Sequence, residues 1–166
     1  ARADAERLVR AAQAAGAAAL IDGPDGLAAT LGADGVHVEN DLPRLERLLA
    51  GRGDAIVGGG GFRSRHDALL AAEAGADYVS FGRLDVCDRF PEPHPRALEE
   101  AAWWAATIET PALLLGGNDL AALTRVAGTG AEFVGYGAAI RHHADGPAAA
   151  VGAIDAALDA AAATGG

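Results

Sequence analysis

One phrase recurs along this chain and restricts its fold more than any other feature. It reads "GADGVHV" at 32–38, "GADYVSFG" at 75–82 and "GAEFVGYG" at 130–137. Each copy follows an alanine- and leucine-rich helical stretch and leads into a short β-branched or aromatic run. Glycine suits a left-handed helix C-terminus, and the apolar run that follows reads as a buried strand. Between the copies lie further apolar runs, "AAALI" at 17–21, "DAIVG" at 54–58 and "PALLL" at 111–115. The pattern predicts six strands alternating with helices near 1–15, 25–31, 43–50, 64–74, 95–107, 118–128 and 147–163. No hairpin signal interrupts it, so the strands are expected to be parallel with helical crossovers.

An open doubly wound sheet and a (β/α)₈ barrel both fit this alternation. The short, even βα units and the repeated glycine-to-strand junctions favour the α/β barrel of TIM type, in a single domain over 1–166. A barrel needs about eight strands to close around side chains, and six units are visible. The chain contains no methionine and begins inside a helical pattern. A missing N-terminal piece carrying two strands is therefore expected. Six strands alone would expose unpaired edges, so self-association into a homo-oligomer is expected too.

Composition narrows the function classes. Hydrophobic residues make up 51% of the 166, as in a globular chain, and the formal net charge is −10. That charge opposes nucleic acid and anionic lipid as partners. No apolar run approaches the roughly 20 residues of a membrane span. Cys87 is the single cysteine, which rules out an internal disulfide and fits a reducing cytoplasm.

Candidate chemistry clusters after the strands, where barrels carry their sites. "LLLGGND" at 113–119 places Gly116 and Gly117 after a strand, with Asn118 or Asp119 as helix N-cap. "GYGAAI" at 135–140 does the same with Gly137 and Ala138. Backbone N–H groups at consecutive loops of this kind can hold a phosphate, or the glycines can serve tight turns alone. Asp22 and Asp41 stand at the C-terminal ends of neighbouring strands. They read either as ligands for Mg²⁺ shared with phosphates and water, or as turn residue and N-cap. The run "AIVGGGGF" at 55–62 lets the backbone approach an anion, with Arg63, Arg65 and His66 beside it as a basic cluster or a solvated helix start. His37 reads as a core histidine. The segment "RLDVCDRFPEPHP", 83–95, is an irregular βα loop on the same rim.

Taken in order, "AALIDGPDGLAATLGADGVHVENDLP", "AIVGGGGF…AAEAGADYVSFG", "PALLLGGNDLAAL" and "GAEFVGYGAAI" resemble the thiamine phosphate synthase family, which includes the related thiazole tautomerases. The likeness runs from about residue 15 to 140. It implies a (β/α)₈ barrel that joins an aminopyrimidine diphosphate to a thiazole phosphate and releases pyrophosphate, with Mg²⁺ held by aspartates. The implied partner is a small phosphorylated substrate. On the family pattern one metal aspartate falls on Gly23 and the other on Asp41. The Gly-x-Ser after the fifth family strand becomes Gly59-Gly60-Gly61. The threonine- and lysine-bearing loop is replaced by the segment from Gly82 to Pro95. Gly116 and Gly117 match the phosphate glycines, and the serine of Ser-Ala-Ile is Ala138. Arg63, Arg65 and Arg83 are the available replacements for lost donors. Two other readings stand beside the synthase. One is a non-catalytic barrel binding phosphate or a thiamine precursor. The other is a tautomerase-like isomerase using His66.

Overall fold

The computed structural model describes residues 2–164, in two compact units that divide between Asp77 and Tyr78. The first unit contains α1 (Arg2–Ala14), β1 (Leu20–Asp22), α2 (Leu27–Leu31), β2 (Gly35–Glu39), α3 (Leu42–Ala50), β3 (Ile56–Gly60) and α4 (Arg65–Glu73). The second contains β4 (Val79–Phe81), α5 (Leu84–Cys87), α6 (Pro95–Thr107), β5 (Ala112–Leu115), α7 (Leu123–Ala127), β6 (Phe133–Gly135), α8 (Ala138–Arg141) and α9 (Pro147–Thr164). Within each unit the three strands run parallel in chain order. Leu20 faces Gly35 and Val38 faces Gly59 in the first; Ser80 faces Leu113 and Leu115 faces Gly135 in the second. All six expected strands are present.

The recurring phrase has one physical job in all three copies. Its glycine takes the left-handed conformation, with φ of 68° at Gly32, 94° at Gly75 and 77° at Gly130, which turns the chain out of the helix. Its acidic residue then accepts a backbone N–H from the preceding strand or its approach. Asp34 takes Ala19 N–H, Asp77 takes Val57 N–H, and Glu132 takes Ala112 N–H, each at 2.7 Å. Within each unit this bond helps register β2 beside β1 and β6 beside β5. Gln13 Nε2 and Arg52 Nη1 donate to Asp34 and Asp77 at 3.1 and 2.6 Å.

Helices cover the strands through large buried apolar side chains. In the first unit Leu45 of α3 is fully buried with Val38 and Val57. A Cβ on Gly59 would lie 3.0 Å from the Val38 carbonyl and 3.4 Å from the Leu45 side chain. In the second unit Trp104 of α6 is fully buried, its ring 5.4 Å from that of Phe81, and its Nε1–H donates to the Thr110 carbonyl at 2.7 Å. Buried Ala150 and Ile154 anchor α9.

Two sequence expectations need correction. The helix expected over 118–128 spans only Leu123–Ala127, with neither Asn118 nor Asp119 as its N-cap. Asp119 instead accepts Ala121 N–H in a local turn at 2.7 Å, and Asn118 is drawn to the 83–95 segment by two hydrogen bonds. That segment also carries the short helix α5.

Replacing Asp77 by alanine removes a charged acceptor from the Val57 amide and from Arg52. Its expected cost is about 2 kcal/mol of unfolding free energy, with Asp77→Asn costing less because an acceptor remains. Urea denaturation of the three proteins measures this directly.

Candidate functional site

In the first unit, Asp22 is the exposed last residue of β1, and Asp41 lies just beyond β2. Asp41 caps α3, its Oδ1 accepting Arg44 N–H at 3.0 Å. Arg44 also grips the turn between β1 and α2. Its Nη2 donates to the Gly23 carbonyl, and its Nε meets Asp25 at 2.8 Å. Hydrogen bonds from Arg44 and Arg47 hold the Asp25 carboxyl below its ordinary value. Two carboxylates at adjacent strand ends offer the hard oxygen ligands that Mg²⁺ prefers. No group of three or more metal-ligating side chains forms among the described residues, so phosphate and water oxygens would have to complete such a shell.

The glycine run ends β3. Gly61 has φ 64°, and a Cβ there would stand 2.5 Å from a Glu39 carboxylate oxygen. The same Glu39 lies 3.2 Å from Nε2 of buried His37, the core position expected for that histidine. The Gly60 carbonyl accepts Asn40 N–H at 2.7 Å. Arg63 and His66 are exposed around the start of α4, where Ser64 Oγ accepts Asp67 N–H at 3.1 Å.

In the second unit, Gly116, Gly117, Gly137 and Ala138 follow β5 and β6. Each is met by a group of the chain itself. A Cβ on Gly116 would fall 2.1 Å from the Tyr136 ring, and one on Gly117 would fall 2.1 Å from the Pro91 carbonyl oxygen. The Ala138 N–H donates to Asp88 Oδ1 at 2.8 Å, while Arg141 Nη2 donates to Asp88 Oδ2 at 2.7 Å. These two contacts, the amide first, hold the Asp88 carboxyl below its ordinary value. Burial pushes the Tyr136 phenol up to about 12, and its hydroxyl has no hydrogen-bond partner. A cavity of about 370 Å³ lies under the 83–95 segment, bounded by Val86, Phe90, Pro91, Leu115 and Gly116. Arg83 pairs with Asp85 at 2.7 Å. Half-buried Cys87 donates its thiol to the Leu84 carbonyl at 3.5 Å.

The family model for thiamine monophosphate synthase matches residues 1–140. The chain belongs to that family. Among its relatives, the thiamine-phosphate synthase of Hyphomonas neptunium is 38% identical over 147 residues, which cover 87% of this chain and 66% of the relative. That of Rhodospirillum centenum is 42% identical over 139 residues, covering 80% of this chain and 64% of the relative. The chain thus spans about two thirds of the length of these thiamine-phosphate synthases. A solved thiamine phosphate pyrophosphorylase from Pyrococcus furiosus superposes with a TM-score of 0.75, at 21% identity, over 96% of this chain and 76% of that one. A 3-hexulose-6-phosphate synthase superposes at 0.70, with 23% identity, over 93% and 80% of the two chains. These likenesses establish the (β/α)₈-barrel type of fold, represented here by six βα units. No helix among the described residues is long and apolar enough to cross a membrane.

Sequence reasoning missed Asp88, Tyr136 and Arg141. Proximity of Asp88 to Ala138, 50 positions away, leaves no local pattern to read.

Gly116→Ala is expected to lower stability by about 1–3 kcal/mol, an overpacking cost that shrinks in a Tyr136→Leu background. Chemical denaturation of the double-mutant cycle checks it. The Asp88 contribution to stability is complete above the ordinary carboxylate value of about 4 and is lost as pH falls through the lower folded value. The stability difference between wild type and Asp88→Asn should therefore shrink below about pH 4, as read from melts across pH.

Proposed function

We propose that the protein carrying this chain couples an aminopyrimidine diphosphate to a thiazole phosphate, forming thiamine phosphate and pyrophosphate. The match of residues 1–140 to the thiamine monophosphate synthase model carries this reading. Ionising a diphosphate asks the protein chiefly for charge stabilisation and positioning. Asp41, with Asp22, would hold Mg²⁺, which neutralises the leaving diphosphate when bound. The backbone of Gly59, Gly60 and Gly61 gives the diphosphate close access, and Arg63 supplies the cation that the missing hydroxyl does not. Gly116, Gly117, Gly137 and Ala138 are the monophosphate residues. A cytoplasmic location belongs to the same proposal, supported by the small phosphorylated substrates it invokes.

A second reading, a non-catalytic barrel that binds phosphate or a thiamine precursor, draws support from one contact. The Ala138 N–H is already hydrogen-bonded to Asp88, and no hydroxyl stands at 59–61 or 138.

Thiamine phosphate formation from both substrates with saturating Mg²⁺ is the expected result for the synthase. No turnover, together with calorimetric binding of thiazole phosphate alone, would favour the binder. Arg63→Ala should weaken pyrophosphate binding about tenfold or more, the scale of one charge-assisted hydrogen bond. Unchanged binding would remove Arg63 from the site.

A further inference from the structure

The segment 83–94 makes a continuous seam with the loops after β5 and β6. Asp88 meets the Ala138 amide and Arg141 at 2.8 and 2.7 Å. The Asp88 carbonyl accepts Asn118 Nδ2–H at 3.1 Å, and the Phe90 carbonyl accepts Asn118 N–H at 2.8 Å. The Pro91 carbonyl lies against Gly117, and Glu92 pairs with Arg125 of α7. A carboxylate held by one main-chain amide and one guanidinium is satisfied by the same donors that a phosphate oxygen would use.

We propose that 83–94 is a strap latched by Asp88, and that a phosphate group must displace this carboxylate to reach Ala138 and Arg141. The inference rests on the reading of these loops as monophosphate-binding. The latch is built to yield. The Arg141 and Asp88 side chains are 60% and 36% exposed, and such ion pairs are weakly held. Arg83 and Arg89 lie on the strap and are exposed, so an opened strap offers cleavage sites to trypsin. A ligand competing with a closed state binds more weakly by the fraction of molecules that are open.

The test uses inorganic phosphate as probe on the intact chain, with wild type, Asp88→Asn and Asp88→Ala checked for native circular dichroism. Both variants should be cleaved within 83–94 about tenfold faster and bind phosphate about tenfold more tightly, if the wild-type strap is open in about a tenth of molecules. Phosphate should also speed cleavage of the strap in the wild type, an arm that needs no variant. Unchanged cleavage in the variants, or faster cleavage without tighter phosphate binding, overturns the strap. Failure of the synthase reading shows separately, as absence of turnover in a protein whose strap still responds to phosphate.

Discussion

Short parallel strands depend here on a carboxylate answering an amide across the sheet. Three-residue strands such as β1, β4 and β6 offer few ladder hydrogen bonds to set their register. The bonds that Asp34 and Glu132 accept from Ala19 and Ala112 N–H supply an additional tie at the entry of β2 and β6, and Asp77 accepts Val57 N–H within the first unit. A left-handed glycine two residues earlier releases the chain from its helix at the angle this bond needs. Strand placement within each unit follows, and with it the position of the loops after those strands.

That rim is crowded rather than vacant in the second unit. The residues proposed to hold a monophosphate are each met by another part of the chain. Tyr136 fills the space above Gly116, the Pro91 carbonyl fills the space above Gly117, and Asp88 answers the Ala138 amide. Lack of a side chain is thus exploited in a second way, to admit an aromatic ring and a neighbouring backbone. The glycine run of the first unit behaves alike. Gly59 makes room for the α3 packing, and Gly61 turns at positive φ against the Glu39 carboxylate.

The alternation of six strands with helices was legible because periodicity and turn chemistry are local properties. The paired aspartates were legible as rim residues for the same reason, and so was the N-cap alternative for Asp41, which the Arg44 amide satisfies. α7 starts later than its local sequence suggests because Asn118 bonds a segment thirty positions away. A capping residue read locally has no means of registering that competitor.

The sequence by itself determined the parallel βα order, the glycine-led helix exits and membership in the thiamine monophosphate synthase family, since each depends on neighbours within a few residues or on ordered motifs. Only the tertiary structure decided what occupies the carboxyl-end loops. Asp88, Tyr136 and Arg141 acquire their roles through contacts between distant segments, and a hydrogen bond is set by positions in space rather than by spacing along the chain.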